Sequence, residues 1–431
     1  MNNFVMKINF FFLILICLYL TGCIQNKPVI EEYPVIDVVN NVGNYQRFFC
    51  SDFFSSLELI PLETGDNSLI GESPVVLLKD SFLFICSTIS PFTIPLQRNL
   101  LAFNRSGKFL NQIGGIGGGP GEYIGISGIF LNYEKPSVFV DDGIKIIEYE
   151  ETGKLIGSFP LPRVDGHSLS NFSYLEKNLF FGSISYFYSA GSNFFLFDRN
   201  GVIIKSFPNR YFYNSENRNS LLLSINPFRI DKQLYLKDYI NDTLYTLVDL
   251  NLKPVNVFDF GKYSYPKGKI NEEGLKEIIP VDIADSGRVM RVTQIVGTPN
   301  FFFYSVFVPQ ILPRPNARPI FYYGREVPND IIIYGIYDIA MKTNVLLDTD
   351  RYHQKGLIND VNGGLSFFPK YYAGDDIVVD IWQAYDMKEM LTEEYFASQS
   401  IKDPQAHQKL RELLKILQED DNPIVVIAKL K

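Results

Sequence analysis

The run Ile113-Gly-Gly-Ile-Gly-Gly-Gly-Pro-Gly121 holds six glycines in nine residues, and Glu122 and Tyr123 follow it directly. The backbone amides of such a loop could cradle an anion or a sugar hydroxyl. Glu122 and Tyr123 are its chemically capable side chains and its candidate ligand contacts. Neither phosphate fingerprint is present, because no Gly-Lys-Ser/Thr occurs and no helix-opening pattern follows the glycines. The plainer reading is a wide connection that needs positive φ. Asp141 and Asp142 follow the apolar run Val138-Phe-Val140. Two carboxylates at a strand end could bind calcium or line a channel. Successive strand residues point to opposite faces, so the two make poor partners for acid/base work. A turn is the plainer role.

The three histidines offer less. His167 and His353 sit in polar stretches near Asp165 and Asp350, and His407 is expected on an exposed helix face. A His/Asp pair with a serine could be nucleophilic, but no Gly-x-Ser-x-Gly elbow occurs. Asp375, Asp376 and Trp382, the single tryptophan, could edge a carbohydrate groove; a core tryptophan is the plainer reading. No Cys-x-x-Cys or Cys/His cluster is present, so neither a zinc site nor another cofactor is expected. Cys50 and Cys86 could bridge in an oxidising compartment, or could be two buried thiols.

These residues must be positioned by strands. An aromatic-rich strand, a polar turn and a second apolar strand recur along the chain. Leu101–Ile113 turns at Gly107, Ile146–Phe159 at Gly153 and Phe194–Phe207 at Gly201, so the turn glycines lie 46 and 48 residues apart. Glycine takes positive φ in a hairpin turn at little cost. Weaker copies, Leu244–Phe260 and Ile331–Leu347, lack the glycine. The gap between them leaves room for a further blade around Phe301–Tyr323, and Leu57–Phe84 can supply an earlier unit. A period of 40–50 residues with about four strands per unit is the mark of a propeller. The expected fold is all-β, a six-bladed β-propeller, with short helical insertions near the C-terminus. Asp403-Pro404 starts one helix, since Asp caps and Pro suits the first turn. It should end near Asp420–Pro423. Met387–Ala397 should form another. Ile424–Ala428 should then be a terminal strand that completes the first blade and closes the ring.

The chain begins with Lys7 ahead of a 13-residue apolar run, Ile8–Leu20. This is too short to span a bilayer and matches the core of a secretory signal. Leu20-Thr-Gly-Cys23 follows, and it resembles the lipobox of bacterial lipoproteins. The expected organisation is a signal at 1–22, a lipidated tether at 23–33 starting at Cys23, and a propeller at 34–431. Two acyl chains give stable membrane attachment, each buried methylene adding about 0.8 kcal/mol. Loss of Lys7 with the leader takes the 40 basic and 48 acidic residues to 39 and 48, a formal charge of −9. That balance argues against nucleic acid. Aromatic content is 15%, which suits β-sheet.

Phe103–Gly114 with Gly117-Gly-Gly-Pro-Gly-Glu-Tyr123, and the ending Asp421-Asn-Pro-Ile-Val-Val-Ile-Ala-Lys-Leu-Lys431, resemble the six-bladed β-propeller lipoproteins of Bacteroidetes. These are related to NHL-type propellers, and most have no assigned function. The resemblance implies a fold and a cell-envelope address, and carries no catalytic residues with it. The leading expectation is therefore an envelope binding module for a glycan, a peptide or another envelope protein. The alternative is a propeller lyase or hydrolase acting on a polymer, which requires titratable groups from three or more blades to meet at a channel mouth. Ile24-Gln-Asn-Lys27 lacks the acidic cluster of a surface-export signal, so a periplasm-facing position is expected over the cell surface.

Overall fold

Hydrophobic residues in several strands run without alternation, as in Leu100-Leu-Ala-Phe103 and Val138-Phe-Val140. Such strands need both sheet faces covered, and the computed structural model shows how. It describes residues 33–90, 97–184, 192–208, 211–213, 227–238, 241–270, 276–278, 288–322 and 325–431. Six antiparallel sheets stand around an axis. Blade 1 is Glu72–Lys79, Phe82–Ser90, Gln97–Asn104 and Phe109–Gln112. Blade 2 is Gly128–Asn132, Ser137–Asp141, Lys145–Glu150 and Leu155–Pro160. Blade 3 is Ser170–Tyr174, Leu179–Ser183, Ser192–Asp198 and Ile203–Pro208. Blade 4 is Phe228–Ile230, Gln233–Lys237, Thr243–Val248 and Asn251–Asp259. Blade 5 is Arg291–Gly297, Phe301–Phe307, Ile332–Asp338 and Thr343–Leu347. Blade 6 is Tyr371–Gly374, Ile377–Trp382, Ile424–Leu430 and, outermost, Phe54–Pro61. The first strands of the blades contact one another around the axis.

Packing between blades accounts for the apolar runs. Leu100 and Ala102 join Val138, Val140 and Tyr149 in a core between blades 1 and 2. Leu101 and Phe103, on the opposite face, pack with Val425 and Ile427 between blades 1 and 6. Phe139 turns away from Val138 to meet Phe180 and Phe197 between blades 2 and 3.

The turn glycines behave as expected. Gly107, Gly153 and Gly201 have φ of +83°, +82° and +77°. Gly107 has a second reason to be glycine: a Cβ there would lie 2.1 Å from the Pro61 carbonyl oxygen of blade 6. In the repeats without glycine, Asp249, Leu250 and Lys342 take positive φ instead. Two assignments change. Phe301–Phe307 is not a separate blade: it pairs with Ile332–Asp338, and the extra length between them is an insertion, 308–331. The terminal strand lies in blade 6 rather than blade 1, and there it pairs with Phe54–Pro61.

The N-terminal part of the propeller also crosses two neighbouring blades. Val35–Asp37 adds a parallel fifth strand to blade 4, and Tyr45–Gln46 does the same to blade 5. A short helix, Cys50–Phe53, then leads into Phe54–Pro61. Val35–Lys431 forms one compact unit. Helix Pro404–Ile416 starts as expected, with Asp403 accepting from the amides of Gln405 and Ala406. It stops short of Asp420. The preceding stretch breaks into Ala384–Met390 and Glu393–Ala397, because Thr392 caps the second helix by accepting from the Tyr395 amide at 3.2 Å. No described helix is long and apolar enough to cross a membrane.

The added strand Val35–Asp37 makes a stability prediction. Ile36 is fully buried and Val35 is 49% exposed. Ile36→Ala should cost about 2–4 kcal/mol in urea denaturation, and Val35→Ala less than about 0.5 kcal/mol.

Candidate functional site

The glycine-rich loop is closed on itself. Gly117 N–H donates to the Tyr123 carbonyl at 3.0 Å, and Tyr123 N–H donates to Gly115 at 2.9 Å. The Glu122 carboxylate folds back to accept from Gly119 N–H at 2.7 Å. A Cβ on Gly117 would crowd that carboxylate, so Gly117 makes room for the folded-back Glu122 side chain. Tyr123 is fully buried in the core between blades 1 and 2. Its hydroxyl donates to the Ile113 carbonyl at 3.3 Å. The structure therefore places Tyr123 in the core rather than on an open surface.

Asp141 and Asp142 are both buried and turned to their own hairpin. Asp141 Oδ1 accepts from Gly143 N–H at 2.8 Å. Asp142 Oδ1 accepts from the amides of Ile144 and Lys145 at 2.9 and 2.7 Å. Burial pushes the Asp141 carboxyl up to about 6. Among the described residues no cluster of three His, Cys, Asp or Glu side chains could hold a metal ion. Cys50 and Cys86 are free and buried in separate cores. Cys50 lies against the Leu357 carbonyl and Cys86 lies in the middle of blade 1, so the structure holds two buried thiols and no bridge. Cys23 lies outside the described residues.

The histidines stand apart. His167 lies on the short strand His167–Ser168. His353 Nδ1 is 2.9 Å from the Asn316 carbonyl, while Asp350 is taken up by the amides of Tyr352 and Gln354. His407 is half-buried rather than exposed, with Nδ1 2.8 Å from the Asn362 carbonyl. Asp375 and Asp376 form the exposed turn before Ile377–Trp382. At about 3.3 Å per residue they are roughly 20 Å or more from Trp382, so they share no groove with it.

Two constellations outside these candidates invite a catalytic reading. Ser51 Oγ is 2.5 Å from Lys402 Nζ, the pairing of a Ser–Lys nucleophile. Asp360, however, accepts from both the Ser51 hydroxyl and the Ser51 amide. It also holds Lys402 above its ordinary range, so the amine stays protonated and is no base. Near the axis, Arg229 of blade 4 lies 4.3 Å from the Tyr133 ring of blade 2, with Tyr371 of blade 6 beside them. Arg229 donates to the carbonyls of Tyr174 and Lys232 at 2.8 Å. Three blades meet here, as a catalytic mouth requires. Burial, though, pushes both phenols up, Tyr371 well above its ordinary value, so neither is a base near neutral pH.

The open site lies elsewhere. A cavity of about 580 Å³ opens between blades 5 and 6, at the end where the long connections leave the blades. That volume falls within the usual range of small-molecule pockets. Blade 6 contributes Asp380 and Trp382, and the connection before it contributes Lys355, Phe368 and Lys370. The blade 5 insertion brings Arg318, and helix Ala384–Met390 brings Tyr385, Asp386 and Glu389. Asp380 is nearly fully buried and meets Lys370 Nζ at 3.2 Å. It also accepts from the amides of Phe368 and Ile381. Its charge holds Lys370 above the usual amine range. Tyr334 stacks on Phe368 with centroids 4.2 Å apart. The Lys355 ammonium donates to the Asn329 and Ile332 carbonyls, and burial lowers its pKa to about 8. Trp382 is 5% exposed. Its ring packs so closely on Gly364 that a Cβ there would lie 2.9 Å away. It is thus both a core tryptophan and part of the cavity wall. No motif marked the other lining residues, which are gathered from positions 294 to 390.

Residues 33–429 match the family described as a domain of unknown function, DUF4934. The chain belongs to the DUF4934 family. No curated protein sequence matches this DUF4934 member. Among solved structures, a Bacteroides fragilis protein described as exported is 19% identical, with 92% of this chain and 99% of that one covered and a TM-score of 0.62. A duf4221-family member from Bacteroides vulgatus is 11% identical, covers 88% and 97%, and has a TM-score of 0.46. The family expectation drawn from the Gly-Pro-Gly-Glu-Tyr segment and the C-terminal strand is met, and the six-bladed fold with it.

Asp141 makes the pH prediction of this DUF4934 member. Its folded pKa lies above the unfolded value, so the folded chain holds more protons between about pH 4 and 6. Stability therefore falls as pH rises through that window. A shift from 3.8 to about 6 corresponds to at most about 3 kcal/mol. Asp141→Asn keeps an acceptor for Gly143 and removes the charge. It should raise the melting temperature at pH 7.5 and lose that advantage at pH 4; an equal effect at both would contradict the assignment.

Proposed function

We propose that this DUF4934 protein is a lipid-anchored envelope module that binds a glycan in the pocket between blades 5 and 6. The observation that carries the reading is the pocket itself. It is open, of ligand size, and walled by paired charges and aromatic rings. Each ion pair presents donors and acceptors together, as a polyhydroxylated ligand requires. Tyr385 at the lip is 40% exposed and offers a ring face. The envelope address is supported by the leader, by Cys23 in its lipobox-like setting, and by the fold shared with an exported protein. The segment after Cys23 lacks an acidic cluster, which favours the periplasmic side.

Two experiments test the two halves. Cys23→Ser should move the protein from the detergent to the aqueous phase on Triton X-114 partition; retention in detergent would remove the anchor. A glycan-array screen of the detergent-solubilised protein should return carbohydrate ligands. Lys370→Ala should weaken them at least about tenfold, the value of a hydrogen bond from a charged group. Binding that survives this change would place the ligand elsewhere.

A further inference from the structure

Arg318 and Glu389 pair at 2.6 Å across the pocket, one from the blade 5 insertion and the other from helix Ala384–Met390. Their side chains are 31% and 60% exposed. A pair this exposed contributes at most about 1 kcal/mol, so Glu389 can swing into water at little cost. Arg318 is more firmly placed, because its backbone N–H donates to the His353 carbonyl at 2.7 Å.

The remaining charges decide what the pocket becomes when Glu389 leaves. Asp380 stays committed to Lys370 at 3.2 Å. Asp386 is half-buried near Arg318; burial raises its carboxyl pKa, and the Arg318 charge pulls it back down. Glu326 is exposed on the strand Arg325–Val327. Lys355 binds only backbone and amide oxygens, since the nearby Asp330 pairs with Arg314 at 3.2 Å. With Glu389 displaced, Arg318 has no carboxylate in direct ion-pair contact among the described residues, and Lys355 holds backbone and amide oxygens.

We propose that the pocket takes a glycan bearing a carboxylate, such as a uronic acid, which displaces Glu389 and pairs with Arg318. This rests on the pocket being the binding site. Glu389 is then an internal stand-in for the ligand's acid group. A guanidinium suits the exchange, because its planar fork matches any carboxylate in the same bidentate way. The exposed Tyr385 ring at the lip favours a sugar over a peptide terminus.

Trp382, the single tryptophan, lies in the pocket wall and reports occupancy by fluorescence. The full chain in detergent is titrated with a glucuronate-terminated disaccharide, its glucose-terminated counterpart and a dipeptide with a free carboxylate. The uronate should bind at least about tenfold more tightly than the neutral sugar, as one charge-assisted pair provides. Glu389→Gln removes the competitor and should tighten the uronate about fivefold. Arg318→Gln should abolish the preference, with circular dichroism confirming that both variants fold. The proposal is overturned if Glu389→Gln fails to tighten the uronate, if the preference survives Arg318→Gln, or if the dipeptide outbinds the uronate. Equal binding of both sugars would leave the pocket reading intact and end the acid proposal. No response of Trp382 to either sugar would end both.

Discussion

Phe54–Pro61 and Ile424–Leu430 pair along their whole length, although more than 360 residues separate them in sequence. Until they meet, blades 1 and 6 each expose an apolar face. Closing a loop of that length costs about 5 kcal/mol of chain entropy. Ile424, Val425 and Val426 are fully buried once the strand is in place. At roughly 2 kcal/mol for each such side chain, these three alone offset the closure. The ring is therefore held by apolar burial between the faces of neighbouring blades.

The pocket depends on the same pairing. The neighbouring strand Ile377–Trp382 is in register with the closing strand, Asp380 opposite Val426 and Trp382 opposite Ile424. Those two residues fix the floor of the cavity. Asp380 holds Lys370, and the Trp382 ring rests on Gly364. The walls come from insertions that have no role in closure, the segment 308–331 and helix Ala384–Met390. A rigid floor with separately anchored walls suits a binding site, because the walls can vary while the ring stays intact.

Much of this was legible in the sequence, for physical reasons that also explain the failures. Gly107, Gly153 and Gly201 announced their turns because few other residues tolerate positive φ. Asp403-Pro404 announced a helix because both residues act locally. Val35–Asp37 and Tyr45–Gln46 left no signal, since strands of two or three residues carry no periodicity. Blade 5 was misread because 308–331 interrupts it and stretches the apparent period. Tyr123 was ambiguous because a tyrosine next to glycines fits either a ligand contact or a core, and the structure places it in the core. The Arg318, Lys355, Lys370 and Glu389 constellation had no sequence mark. Its members come from three different connections, and only tertiary packing brings them to one cavity.

Native-state hydrogen exchange on blade 6 tests the account most directly. If closure holds the ring, the amides of Val425–Ile427 and Leu57–Ile60 exchange only through global unfolding. They should then be among the slowest in the protein, with an opening free energy equal to that measured by urea denaturation. Exchange of these strands well ahead of blades 2 and 3, at an opening energy several kcal/mol smaller, would contradict it. That result would show a ring that stays folded with its closure open.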